Sequence, residues 1–183
     1  SVSNPLTGEI ISADVVNKLL AIKLGYNYRK LYGYTEDNDP LMQYITNLTL
    51  HEVGHVLGLR HNFRGSYLYS PDEIHDKNIT GNVLMSSVMD YDPINIAPEG
   101  VEQGIYFSTE PGVYDKWAVK FGYTPNLTDE ERTALLQQSV KRELTFGTDD
   151  DAMSYPGNNI DPRTKRYDMS NDPIGYAEDI VKI

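Results

Sequence analysis

The sequence predicts an α+β domain in which helices and loops outnumber strands. A helix start signal, Asp39 followed by Pro40, opens a segment whose apolar residues recur at helical spacing as far as Gly58. The stretch 62–110 is interrupted by Gly, Pro, Asn and Asp at short intervals, which is typical of loops. Glu9–Val16 (EIISADVV) is the candidate strand, with passage into a helix as the alternative for its end, so the sheet is expected to be small.

The first half of the chain contains two predicted helices. The apolar residues of 17–34 are compatible with the spacing of a helix or of a strand, and we favour a helix there. In the predicted helix Leu41–Gly58, two adjacent apolar stripes cover a wide arc, which indicates a buried helix. The stripes consist of Leu41, Tyr44, Ile45 and Leu48, and of Leu50, Val53 and Leu57.

The second half contains two more predicted helices before a polar, irregular segment at Thr148–Asp168. PGVYDKWAVKFGY (111–123) has aromatic residues at helical spacing, which we expect to pack in the core. These aromatic residues are Tyr114, Trp117, Phe121 and Tyr123. LTDEERTALLQQSVKREL (127–144) begins with a capping box formed by Thr128 and Glu131.

The composition excludes several classes of partner. With 27 acidic and 16 basic residues the net charge is −11, so no basic surface is available for nucleic acid or an anionic membrane. No run approaches the roughly 18 apolar residues of a membrane span. The chain has no cysteine, so disulfides are excluded and a metal must use nitrogen and oxygen ligands. The simplest interpretation of the acidity is solubility.

Both ends of the chain indicate a piece of a longer protein. The N-terminus, SVSNPLTGEI, has no visible signal peptide and no initiator Met. A last helix begins at Asp172–Pro173 and stops in the middle of its pattern. We therefore expect a longer parent chain with further domains.

A histidine cluster is the most informative feature of the sequence. Three of the four histidines lie within eleven residues of HEVGHVLGLRHNF (51–63). On a helix, His51 and His55 project from the same face one turn apart. Gly58 then allows a sharp turn that returns His61 toward them. Three neutral imidazoles suit Zn²⁺ and leave a fourth position open, as in catalytic zinc sites.

Glu52 favours hydrolysis over a structural zinc site. Zinc lowers the pKa of a bound water from about 15.7 to about 7, and a neighbouring carboxylate can take its proton and later give it to a leaving amine. Helix geometry places Glu52 beside His51, where it can act as this general base and acid. The alternative is a non-catalytic zinc-binding module that recognises peptide or glycan, but such a module has no need of Glu52.

HEVGHVLGLRH resembles the zinc-binding signature of the metzincin clan of metallopeptidases. The clan has a methionine-containing turn beneath the metal, and SSVMDYDP (Ser86–Pro93) matches it, which implies Met89 as the Met-turn residue. Met85 is the alternative. In some metzincins a tyrosine two positions after this methionine reaches the zinc and stabilises the transition state. Tyr91 occupies this position, so the resemblance implies the same role for it. The alternative for Tyr91 is a structural role.

The resemblance extends to the large bacterial zinc-dependent metalloproteases called Met-zincins. It includes the stretches PGVYDKWAVKFGY, FGTDDD and DPRTKRYD and covers the chain from about Thr7 onward. It implies one catalytic domain or a fragment of it, with part of an upper lobe and the zinc helix in residues 1–60 and a loop-rich, helical lower lobe in 61–183. It also implies a zinc-dependent endopeptidase that acts on protein or peptide substrates and is exported to the periplasm or beyond. Glu9–Val16 becomes the candidate for the edge that pairs with substrate. Asn62 stands where the best-studied metzincins have an acidic residue or proline.

Two weaker signals indicate solvated loops. His75 lies in a polar stretch without the spacing of a metal ligand. A group of acidic and amide side chains offers oxygen ligands for Ca²⁺ but lacks the spacing of an EF-hand, so solvation is favoured. This group consists of Asp149, Asp150, Asp151, Asn158, Asn159 and Asp161.

Overall fold

The computed structural model describes residues 2–13, 15, 19–152 and 161–181. The described part is mostly helical with one small sheet, in agreement with the predicted α+β class. Its elements are β1 (Val2–Ser3), β2 (Ile10–Ser12), α1 (Leu19–Tyr32), α2 (Pro40–Val56), α3 (Lys77–Thr80), α4 (Val113–Tyr123), α5 (Asp129–Gln137), α6 (Asp149–Ala152) and α7 (Pro173–Val181). Short 3₁₀ turns lie at Gly65–Leu68, Gln138–Val140 and Arg142–Leu144. The division into lobes at residue 60 stays a prediction.

The predicted strand is part of an antiparallel hairpin. β2 pairs with β1, with Val2 opposite Ser12 and Ser3 opposite Ile10. The strand is shorter than the predicted Glu9–Val16, and residues 14 and 16 lie outside the described part. None of the described helices combines the length and the apolar character that crossing a membrane requires.

Helix α2 begins with the predicted cap and ends two residues before the predicted Gly58. The Asp39 side chain accepts a hydrogen bond from the backbone N–H of Leu41 at 3.0 Å, and Pro40 occupies the first helical position. The helix ends at Val56, and Gly58 takes a φ of +85°. A side chain at residue 58 would be strained at that φ, so glycine allows the turn toward the third histidine.

The buried side of α2 differs from the prediction. Its apolar stripes are only half-buried, and Val53 is 39% exposed, whereas Gln43 and Asn47 are buried. Gln43 accepts a hydrogen bond from the Tyr106 N–H at 2.7 Å, and Asn47 donates one to the Ser108 carbonyl at 3.3 Å. The prediction that the apolar arc is buried was wrong because an irregular segment lies along α2, and its backbone groups require polar partners.

Helix α1 packs closely against the first turns of α2. A Cβ on Gly25 would lie only 2.8 Å from Leu41 Cδ1, so the two helices approach without room for a larger residue. The rings of Tyr28, Tyr44 and Phe107 lie 5.2–5.8 Å apart and continue this contact. Such aromatic pairs add to the free energy gained from apolar burial.

The main hydrophobic core joins the loop-rich segment to α7. It consists of Ile74, Leu84, Met85, Ile105, Met169 and Tyr176, with Tyr69 and Ile180 against it. His75 lies beside this core, where its ring stacks on Tyr176 with centroids 6.2 Å apart. His75 is buried, so the prediction of a solvated loop was wrong. Helix α7, about a hundred residues further along the chain, shields His75 from solvent. The sequence around His75 does not reveal this contact.

The capping box predicted for α5 is present. Thr128 and Glu131 exchange hydrogen bonds of 2.9 and 3.2 Å between side chain and backbone. The helix ends at Gln137 rather than near residue 144, because the chain continues in two 3₁₀ turns. In α4, Trp117 contacts the rings of Tyr114 and Phe121, whereas Tyr123 is exposed.

Buried Asp115 attaches α4 to the turn at residues 86–89. Its carboxylate accepts the Ser87 hydroxyl at 2.6 Å and the N–H groups of Val88 and Gly112, both at 2.8 Å. Burial raises the pKa of Asp115, and these three donors oppose that effect. A side chain on Gly112 would overlap with the Ser86 carbonyl, so α4 begins directly on the turn.

We expect Asp115→Ala to lower the free energy of unfolding by about 2–5 kcal/mol, because two buried N–H groups lose their acceptor. Asp115→Asn should cost less, since the amide oxygen can still accept both. Urea denaturation measures the difference, with the exposed Asp72→Ala as the control. An Asp115→Ala protein as stable as Asp72→Ala would contradict this role.

Candidate metal centre

The structure brings together the three histidines of the sequence motif. One nitrogen of each ring lies within 4.8 Å of the others. Helix α2 holds His51 and His55 one turn apart, and the reversal after Gly58 returns His61 to the same point. His51 is buried, and the other two are half-buried.

Each imidazole has its Nδ1 atom fixed by a hydrogen-bond acceptor. His51 Nδ1 lies 2.7 Å from the Val88 carbonyl, and His55 Nδ1 lies 3.0 Å from the Leu59 carbonyl. His61 Nδ1 lies 2.8 Å from Asp149 Oδ2. These acceptors require an N–H at Nδ1, so each neutral ring has a free lone pair at Nε2.

The donor set fits a zinc ion. The Nε2 atoms of His55 and His61 are 3.2 Å apart. Two lone pairs facing each other at this distance repel unless a cation lies between them. Nitrogen ligands about 2.0–2.1 Å from a tetrahedral zinc are themselves about 3.3 Å apart. Burial also lowers the pKa of His51, which favours the neutral form that binds a metal.

The histidines open into a cavity of about 510 Å³. Glu52 lines this cavity beside His51, and the Tyr91 hydroxyl lies 3.0 Å from His61 Nε2. The remaining lining residues are Tyr44, Asn47, Leu48, Asp90, Asp92 and Tyr167. The arrangement places a carboxylate, a phenol and three imidazoles in one cleft, which suits acid–base chemistry next to a metal.

The acidic segment after residue 148 is solvated only in part. Asp150 and Asp151 are exposed, as predicted, and Asp150 forms a surface ion pair with Arg60 at 3.1 Å. Asp149 and Asp161 are half-buried, so solvation was the wrong expectation for these two. Asp149 bonds His61 and accepts from Arg166 at 3.2 Å, and Asp161 pairs with Arg64 and Arg163. Asn158 and Asn159 of the predicted group lie outside the described residues.

Asn62 holds this distant segment next to the third histidine. It is fully buried, its Oδ1 accepts the Gly147 N–H at 3.1 Å, and its Nδ2 donates to the Thr145 carbonyl at 3.1 Å. The Phe63 N–H also donates to the Gly147 carbonyl at 2.7 Å. Asn62 therefore brings the start of α6, and Asp149 with it, against His61.

The family model described as Met-zincin matches residues 34–183. The chain belongs to the Met-zincin family. The resemblance inferred from HEVGHVLGLRH and SVMDY is thereby confirmed. No curated protein and no solved structure matches the chain. The family and the histidine cluster together indicate a metallopeptidase-type metal site.

In this Met-zincin chain, Met89 lies directly beneath the helix that holds two of the histidines. Its side chain is fully buried, and its Sδ contacts the backbone of Gly54, where a Cβ would overlap with the sulfur. Met85, the alternative Met-turn residue, belongs to the hydrophobic core instead. The glycine inside HEVGH is therefore explained by packing against Met89.

Sequence reasoning missed several residues that line the candidate site of this Met-zincin chain or contact its histidines. Asp149 was visible in FGTDDD, but nothing local indicated that it bonds a histidine 88 residues away. Asp92 and Tyr167 lie in or next to matched motifs, yet a motif does not tell which side chains face the cavity. Asn47 was detectable as the residue one helical turn before His51.

We expect Gly54→Ala to lower the free energy of unfolding by about 1–3 kcal/mol, because the added methyl group displaces Met89. In a Met89→Ala background the same change should become neutral or stabilising, since alanine favours helices by about 1 kcal/mol over glycine. Urea denaturation of the four proteins measures this coupling.

The matched control is Gly122→Ala, another glycine within a helix but with no atom within 4 Å of its added Cβ. It should be neutral or stabilising. Equal stability of the Gly54→Ala and Gly122→Ala proteins would show that Met89 does not restrict residue 54.

Proposed function

We propose that this protein is a zinc-dependent endopeptidase. The observation that supports it most strongly is the geometry of the histidines, whose Nδ1 atoms are all held by acceptors while their Nε2 atoms converge at the cavity that contains Glu52. His51, His55 and His61 would hold the metal. Zinc bound there would polarise the scissile carbonyl and make a water molecule more acidic.

Glu52 is the general base and acid of the proposal. It follows the first ligand on α2 and lines the cavity, so its carboxylate is within reach of a water at the metal site. The carboxylate takes the proton of the attacking water and then gives it to the nitrogen of the departing amine. The half-buried surroundings of Glu52 limit competing bulk water.

Tyr91 and Met89 have supporting roles in the proposal. The Tyr91 hydroxyl is close to His61 Nε2, so it can donate a hydrogen bond to negative charge that develops on the substrate oxygen. Burial raises the pKa of Tyr91, which keeps the phenol protonated for that role. Met89 supports α2 from below and does not take part in the chemistry.

Family membership supports the peptidase assignment and its substrate class, which is protein or peptide. Export from the cytoplasm, which the resemblance implies, stays a prediction. The alternative, a zinc-binding module without activity, has the same three ligands and differs only in having no use for Glu52.

For Glu52→Gln we expect full zinc binding and a rate of peptide hydrolysis about 10²–10⁴-fold below wild type, because the general base is lost. Hydrolysis of a broad peptide library is measured by mass spectrometry, and bound zinc is quantified in each protein. The matched control is Glu99→Gln, an exposed loop residue far along the chain from the motif, which should retain wild-type activity.

Two results would contradict the proposal. Wild-type activity in Glu52→Gln would exclude its role as the base. A wild-type protein that binds one zinc ion and cleaves no peptide of the library would favour the non-catalytic module.

For Asp149→Ala we expect the affinity for zinc to fall about 10–100-fold, because the hydrogen bond that orients the His61 ring is lost. Competition with a chromogenic chelator measures the affinity directly, without an activity assay. The neighbouring Asp150→Ala loses only a surface ion pair with Arg60 and should bind zinc as wild type does. Equal affinities of the two variants would refute the orienting role of Asp149.

A further inference from the structure

The candidate active-site cavity has a marked excess of negative charge. Three carboxyl residues line it, Glu52, Asp90 and Asp92, and none of its described lining residues is a lysine or arginine. Glu52 already has a place in the proposed mechanism. The two aspartates flank Tyr91 on the turn beneath the metal site and require separate explanations.

Asp90 has a structural explanation. It is buried, and its two oxygens accept hydrogen bonds from the N–H groups of Tyr91 at 2.7 Å and Ser66 at 3.0 Å. These bonds fix the backbone after Met89. Asp90 therefore stabilises the turn and has no carboxylate oxygen left without a partner.

Asp92 lacks an equivalent set of partners. Its side chain accepts a long hydrogen bond of 3.3 Å from Asn47 Nδ2 and is otherwise stabilised by its own backbone N–H. No ion pair involves Asp92 among the described residues. Burial raises the pKa of Asp92 to about 7, which reflects the cost of leaving this carboxylate without a cation. A positively charged group that entered the cavity would offset that cost.

Asp92 is close enough to the candidate metal site to contact a substrate residue next to the scissile bond. Its partner Asn47 lies four residues before His51, on the same face of α2. Side chains with this spacing are about 5–6 Å apart, so the Asn47 that contacts Asp92 lies about one helical turn from His51. Asp92 and His51 line the same cavity. A lysine or arginine side chain next to the scissile bond spans a distance of this order.

The cavity walls suit the long apolar stem of a basic side chain. Tyr44, Leu48 and Tyr167 line it together with Asp92. The ring of Tyr167 stacks on Tyr91 with centroids 5.8 Å apart, although its side chain is 69% exposed. Its φ of +63° is unfavourable for tyrosine, and its N–H donates to the Tyr91 carbonyl at 2.9 Å. A strained backbone thus presents an aromatic face to the cleft, where it can cover an alkyl stem or contact a cation.

We propose that Asp92 is a specificity residue that selects peptide substrates with lysine or arginine next to the scissile bond. The inference rests on the proposed endopeptidase function and names its substrate class. The carboxylate receives the ammonium or guanidinium group, while the cavity walls contact the methylene groups.

The test compares acetylated, amidated peptides that differ only in having lysine, arginine or norleucine beside the cleaved bond. For the wild type we expect kcat/KM to be about 10–100-fold higher with the basic residues, as for a charge-assisted hydrogen bond. Asp92→Asn should bring this ratio close to one, because kcat/KM falls for the lysine and arginine peptides relative to the norleucine peptide. Asp72→Asn, an exposed acid outside the cavity, should keep the wild-type preference.

A binding experiment separates this inference from the proposed activity. Calorimetry with zinc-loaded Glu52→Gln and with the Glu52→Gln/Asp92→Asn double variant measures affinity without cleavage. The lysine peptide should bind more weakly to the double variant, and the norleucine peptide equally to both. If the wild type cleaves nothing, the endopeptidase proposal fails, and this measurement alone decides the role of Asp92.

Three outcomes would overturn the assignment. The wild type could cleave or bind norleucine peptides as well as basic ones. Asp92→Asn could keep the full preference. Peptides with a free amino terminus could be preferred while the acetylated lysine and arginine peptides are not, which would make a terminal ammonium the occupant. If Asp92→Asn does not fold, inhibition of the wild type by agmatine relative to an uncharged analogue measures the same contact, and equal inhibition refutes it.

Discussion

The orientation of three imidazole rings is the constraint on which the rest of this structure depends. Lone pairs that converge at 3.2 Å are unfavourable without a metal, so the fold must hold the rings in place by other contacts. It does so with one acceptor for each Nδ1 atom. Leu59 lies near its histidine in the chain, whereas Val88 and Asp149 lie 37 and 88 residues from theirs. Two distant segments must therefore fold against α2 before the metal site is complete.

Several of the buried polar contacts serve this purpose. Asp115 and Gly112 attach α4 to the turn at 86–89, and that turn supplies both the Val88 carbonyl to His51 and the Met89 side chain to Gly54. Helix α4 thus influences the metal site without touching it. Asn62 has the same function on the other side, where it binds the segment that ends in Asp149. Replacing such polar contacts with apolar ones would leave backbone N–H groups unsatisfied, so the interior of this protein is polar close to the site.

The sequence predicts the parts of this site that depend on local chemistry. Asp39 and Pro40 cap α2, Gly58 takes a positive φ, and helical spacing puts two histidines on one face. Hydrophobic patterning failed for α2 itself, because the backbone partners of Gln43 and Asn47 come from residues 105–108. The predictions for His75 and Asp149 failed for the same reason. Each depends on a contact between residues far apart in sequence, which local periodicity does not encode.

The acidic side chains behind the net charge of −11 are compensated to different degrees in different parts of the structure. Arginines neutralise Asp150 and Asp161, and backbone N–H groups compensate Asp115. In the cleft, by contrast, Asp92 has no cationic partner among the described residues, and Glu52 faces the cavity. A concave, partly desolvated surface with one sign of charge concentrates the opposite charge from solution. If Asp92 selects basic substrates as proposed, this local excess of negative charge is what separates cationic peptide segments from neutral ones, and an uncharged cleft of the same shape would not distinguish them.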